Sequence, residues 1–100
     1  MLAAAATPAA AADRQAQFDA GRKLFLQEAV PACALCHALK EAGAEGAVGP
    51  ALDDLQPDAG RVAAALRNGL GQMPSYGGRL SDAEIDALAV YVSRASGGAK

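Results

Sequence analysis

An all-α domain is the fold class this sequence predicts, and three observations carry it. No stretch of the 100 residues alternates convincingly between apolar and polar with period two. Apolar residues recur instead at three-and-four spacing in three separate segments. Glycines and prolines gather between those segments, where they turn or break the chain. The length suits one domain with a modest core. An Ala-rich leader is expected over residues 1–12 and a single folded domain over residues 13–100.

The helical pattern starts at Asp13. Phe18, Gly21, Arg22 and Phe25 share one helix face, Leu24 lies beside them, and Pro31 closes the segment. Gly21 costs a helix about 1 kcal/mol against alanine, which points to a close helix crossing at that position. Residues 33–40 read as a short helix. "EAGAEGAVGPALDDL", residues 41–55, reads as a Gly-rich loop with Pro50 near its middle. A second helix is expected over "DAGRVAAALRNG", with Val62, Leu66 and Leu70 inward and Gly69 ending it. "LGQMPSYGGRL", residues 70–80, is irregular by its glycines and Pro74. The last helix opens on a capping box, Ser81 and Glu84, carries a stripe of Ile85, Leu88, Ala89 and Val92, and stops at Gly97 and Gly98.

Composition narrows the function classes. The net charge is −2 and no run of Lys or Arg exists, which argues against nucleic acid and anionic membrane as partners. No segment approaches the roughly 18–20 apolar residues of a bilayer span. "MLAAAATPAAAADRQ" has the Ala-x-Ala character of a signal-peptide end or of a flexible leader, and is set aside from the fold argument. The hydrophobic fraction is 52%, yet much of it is alanine, and Phe18, Phe25, Tyr76 and Tyr91 are the only aromatics. Alanine buries little area, so large apolar side chains are too few to fill such a core unaided. A bulky apolar cofactor at the centre would make up the shortfall.

Both cysteines and the single histidine fall in "PACALCHA", residues 31–38. A thioredoxin-like redox pair would need a βαβ pattern, which is missing. A zinc site needs about four ligands, and this chain supplies three adjacent ones. The third reading gives each residue its own task. Thiols at i and i+3 lie on one side of a helical turn and can each add across a haem vinyl group, while His37 falls beneath the porphyrin to bind iron. The sixth iron position then needs another soft ligand. Met1 lies in the leader, so Met73, in a Gly- and Pro-flanked loop 36 residues after His37, is the natural candidate.

With "GRKLF", "CALCH", "GPAL", "NGLGQMPSYGG" and "LSDAEIDALAVYV" in this order, the chain from about Phe18 to Val92 resembles a class I c-type cytochrome of the small bacterial type. It is shorter between His37 and Met73 than the mitochondrial proteins and has no ring of lysines. The resemblance implies one covalent haem c with its iron, held by Cys33 and Cys36 as thioethers and by His37 and Met73 as axial ligands. It implies a Pro50 carbonyl that accepts the other His37 ring hydrogen. It also implies a helix crossing built from Gly21 and Phe25 on one side and Leu88 and Tyr91 on the other. Tyr76 is expected on the haem edge or on a propionate; Arg61, Arg67 and Asn68 are further propionate candidates.

Iron closed on both sides leaves one-electron exchange as its chemistry. The expected protein is therefore a soluble, periplasmic, monohaem electron carrier rather than an enzyme, with its haem edge exposed near the cysteine and Met73 loops. A displaceable Met73 would instead make a haem enzyme or a gas or peroxide sensor. A third reading is a fixed subunit of a larger dehydrogenase. "VPACALCH" and "GPALDDLQPD" are similar to segments of cytochromes serving bacterial sulfite dehydrogenases, so such an enzyme is the expected donor. An oxidase or another cytochrome is the expected acceptor.

Overall fold

A computed structural model gives the structure of residues 7–99; Lys100 and residues 1–6 of the expected leader lie outside the described residues. The Thr7 hydroxyl accepts from the Ala10 amide at 3.1 Å and Pro8 takes the first helical position. Helix α1 therefore runs Pro8–Lys23, starting earlier than Asp13, because the alanines of this stretch are strong helix formers. It continues without a break into a wider π turn, Leu24–Glu28. Helix α2 is a single turn, Leu52–Leu55, within the segment read as loop. Helix α3 spans Ala59–Asn68, capped by Asp58, whose carboxylate accepts from the Arg61 amide at 2.8 Å, and ended by Gly69. Helix α4 spans Asp82–Ser96 with the expected Ser81–Glu84 capping box and a left-handed Gly97 after it.

Two further readings of the sequence are corrected. Residues 33–40 are not one helix: a 3₁₀ turn at Cys33–Leu35 gives way to strand β1, Ala38–Leu39, then another 3₁₀ turn at Lys40–Ala42. β1 pairs antiparallel with β2, Ala44–Glu45, in register Ala38 to Glu45 and Leu39 to Ala44. An α-helix here would need the Lys40 amide on the Cys36 carbonyl. Instead the Lys40 amide donates to Asp53 Oδ2 at 2.9 Å, and the Cys36 carbonyl accepts from the Gly49 amide at 2.7 Å. A two-residue pair of strands is thus the one sheet in an otherwise helical domain among the described residues. Leu70 is the second correction. It is 73% exposed, because Gly69 at φ +73° turns the chain before Leu70 can continue the inward stripe.

α1 and α4 cross at Gly21. A Cβ built there would overlap the Ala87 carbonyl oxygen and the Tyr91 Cβ, so the two backbones approach too closely for any side chain. Tyr91 fills the crossing, fully buried, with its ring edge-on to Phe18 (centroids 4.9 Å apart) and Phe25 (5.7 Å). Ile85, Leu88 and Val92 continue the buried face of α4. The Tyr91 hydroxyl donates to Glu41 Oε1 at 2.6 Å, and the Arg22 guanidinium donates to both oxygens of the same carboxylate. Glu41 thereby ties α1, α4 and the turn after β1 together.

This junction makes stability depend on pH with a definite sign. The Arg22 hydrogen bond holds the Glu41 carboxyl below its ordinary value of 4.5; the Tyr91 hydroxyl acts in the same direction and partial burial opposes both. A carboxylate depressed by folding stabilises the fold above its unfolded pKa, and that contribution is lost as pH falls through the folded pKa. The thermal midpoint is therefore expected to decline below about pH 4.5. Glu41→Gln should flatten that decline in melts recorded across the acid range. Parallel acid limbs for the two proteins would exclude Glu41 as their origin.

Candidate haem site

The scarcity of large side chains shows as a cavity of about 720 Å³ between the α1–α4 frame and α3. Phe25, Leu52, Leu66, Leu88 and Val92 give it apolar walls. Cys33, Cys36, His37, Pro50, Met73 and Tyr76, the six site residues expected from the sequence, all line this one cavity. They arrive on separate segments: the 3₁₀ turn at Cys33–Leu35 and the residues after it, the loop before α2, and the loop between α3 and α4.

The Cys33 carbonyl accepts from the amides of Cys36 (3.2 Å) and His37 (3.0 Å), a single turn that brings the two thiols and the imidazole together. Both thiols are free. Burial pushes the Cys33 thiol up to about 11, so it is protonated at neutral pH rather than a reactive thiolate. Among the described residues no three His, Cys, Asp or Glu side chains, Cys33, Cys36 and His37 included, are grouped so as to hold one metal ion.

His37 Nδ1 lies 2.8 Å from the Pro50 carbonyl oxygen. A carbonyl only accepts, so Nδ1 carries the hydrogen and Nε2 keeps its lone pair for an electrophile. Gly49 presses on the same ring: a Cβ there would lie 2.5 Å from Cε1 and 2.8 Å from Nδ1. Read in sequence, Gly49 is one more loop glycine. The signal that could have marked it is its position directly before Pro50.

Met73 sits in a loop folded back on the end of α3. Leu70 and Met73 exchange backbone hydrogen bonds at 3.1 and 2.9 Å, the Tyr76 amide donates to the Leu66 carbonyl at 2.6 Å, and the Ser75 hydroxyl donates to the Arg67 carbonyl at 2.5 Å. The thioether is half-buried and lines the cavity. Tyr76 is buried with its ring against the cavity, while its hydroxyl donates to the Pro31 carbonyl at 2.5 Å and is pushed up to about 12, chiefly by burial. That hydroxyl is committed to the Pro31 backbone carbonyl. The other propionate candidates separate. Arg61 and Asn68 line the cavity, whereas Arg67 turns its guanidinium to Asp82 (3.7 Å) and Asp86 (3.9 Å) on α4.

An apolar cavity with two thiols, an imidazole of fixed tautomer, a thioether and one cationic side chain fits a planar apolar macrocycle with acidic substituents. The family model described as "Cytochrome C oxidase, cbb3-type, subunit III" matches residues 16–92. The chain belongs to this family as a small class I c-type cytochrome. Cytochrome c6 of Picosynechococcus sp. is 37% identical to it over 103 residues, covering 87% of this chain and 77% of that protein. The crystal structure of the c-type cytochrome SorU from Sinorhizobium meliloti superposes with a TM-score of 0.80 at 50% identity, covering 86% of this chain and 98% of SorU. Like its relatives, this cytochrome carries covalent haem c with its iron and is an electron carrier rather than an enzyme. Among the described residues of the cytochrome, no helix is long and apolar enough to cross a membrane.

Proposed function

We propose that this cytochrome is a soluble periplasmic carrier whose single haem is bonded to Cys33 and Cys36 and ligated by His37 and Met73. The observation that carries the reading is the convergence of all four side chains on one apolar cavity, with His37 Nδ1 already engaged by Pro50. Bound by His37 and Met73, the haem would supply one-electron exchange. Cys33 and Cys36 would hold the group as thioethers, which would prevent its loss. Pro50 orients His37 and raises its basicity as a ligand. The neutral Met73 sulfur and the apolar walls both disfavour the more highly charged oxidised iron, so the potential is high. Arg61 and Asn68, which line the cavity, would receive the propionates.

Val48 and Leu70, 73% exposed each, line the cavity mouth, and Leu35, 68% exposed, stands between the two cysteines. Such an exposed apolar rim suits brief docking of a redox partner over the haem edge. The donor is a sulfite dehydrogenase, a reading supported by the resemblance of "VPACALCH" and "GPALDDLQPD"; an oxidase or another cytochrome accepts the electron. Mass spectrometry of the acid-denatured protein should show one added haem on the peptide holding Cys33 and Cys36. Stopped-flow mixing with reduced sulfite dehydrogenase should give faster reduction than with unrelated donors. A polypeptide mass without haem would overturn the attachment, and equal rates with all donors would overturn the partner.

A further inference from the structure

The local bonds of the Met73 loop set its shape, because they all return to α3 or stay within the loop. They do not set its distance from the cysteine segment. Among the described residues, two hydrogen bonds run between residues 69–80 and 30–37. Tyr76 donates its hydroxyl hydrogen to the Pro31 carbonyl at 2.5 Å, and Arg79 Nη1 donates to the adjacent Val30 carbonyl at 3.3 Å. Donors three residues apart thus grip two consecutive carbonyls 45 and 49 residues away. The two contacts differ in quality. Tyr76 is 3% exposed, so its bond is short and shielded, whereas the Arg79 bond is long and lies against Val30, 72% exposed.

We propose that Tyr76 is a positioning residue for Met73: its hydroxyl latches the distal loop to the segment that carries the cysteines, with Arg79 as a weaker second point. The inference rests on Met73 being the axial ligand. For an outside ligand to displace the thioether, the loop must move away, and that movement breaks the latch. Its free energy is then added to the state that keeps Met73 in place. One neutral, shielded hydrogen bond of ordinary net strength corresponds to about a fivefold change in such an equilibrium. Tyr76→Phe keeps the ring and its contact with the cavity and removes only the donor.

The test is titration of the oxidised holoprotein with imidazole, following the weak far-red band of a His/Met haem as Met73 is displaced. Tyr76→Phe is expected to bind imidazole about fivefold more tightly than the native protein. Arg79→Ala should shift affinity in the same direction by less. Ile85→Val, in the α4 core and away from the cavity lining, lowers the melting midpoint and should leave imidazole affinity unchanged. An affinity for Tyr76→Phe within twofold of native would overturn the latch, as would an equal gain in Ile85→Val, which would reduce the effect to general stability. If Met73→Ala retains the native far-red band, Met73 is not the ligand, and the ligand assignment fails along with the latch. Loss of the band in Met73→Ala, with unchanged imidazole affinity in Tyr76→Phe, fails the latch alone.

Discussion

Met73→Ala should abolish the far-red band of the oxidised protein and lower its reduction potential by at least about 0.1 V, a fraction of the roughly 0.8 V range over which axial ligands tune haem. Met73 is the one thioether among the described residues lining the cavity, and bonds of the backbone and of Ser75 shape its loop in addition to the packing of its half-buried side chain against the core. The loop should therefore survive the substitution. With Met73 as the ligand proposed above, alanine would leave the sixth position to water or an outside ligand, and the preference of neutral sulfur for the reduced ion would disappear. Melting of the oxidised variant should change far less than its potential. Potentiometry with the spectrum recorded in parallel checks both. A native potential in the variant would remove Met73 from the coordination sphere.

Gly21→Ala is expected to lower stability by about 2 kcal/mol and the melting midpoint by roughly 10 °C. Two effects oppose each other at this position. Alanine is the better helix former by about 1 kcal/mol, which alone would stabilise α1. Against that, the new methyl overlaps the Ala87 carbonyl and the Tyr91 Cβ, and overpacking of this kind costs about 1–3 kcal/mol or more. A flexible side-chain tip could turn aside, but the Ala87 carbonyl belongs to the hydrogen-bonded backbone of α4, so the whole helix must shift. Tyr91 moves with it, disturbing Phe18, Phe25 and Glu41 together. The steric cost wins. A midpoint at or above native for Gly21→Ala would show that the helices can part at little cost.

The long helices were legible because their signals are local. Ser81, Glu84 and the Ile85–Leu88–Val92 stripe state the start and the buried face of α4 within a dozen residues, and Asp58 and Gly69 bracket α3 in the same way. The convergence of Cys33, Cys36, His37, Pro50, Met73 and Tyr76 on one cavity was legible from motif order and the family resemblance. Periodicity failed at residues 33–40 because Asp53 and Gly49, each 13 residues from its partner, take the backbone groups a helix would have used. It failed at Leu70 because one positive φ outweighs an apolar residue at the right spacing. Arg61 and Arg67 look alike in sequence. Only the placement of Asp82 and Asp86 shows that Arg67 belongs to an ion pair and Arg61 to the cavity.

The helix crossing and the Met73 loop meet different demands with few residues in common. Tyr91, Gly21 and Glu41 hold the crossing, while Tyr76, Ser75 and the Leu70–Met73 pair hold the loop. Changes at the exposed positions of this loop, Leu70 and Gln72 among them, can retune the cavity mouth and the surface a partner meets without touching the residues that hold the crossing.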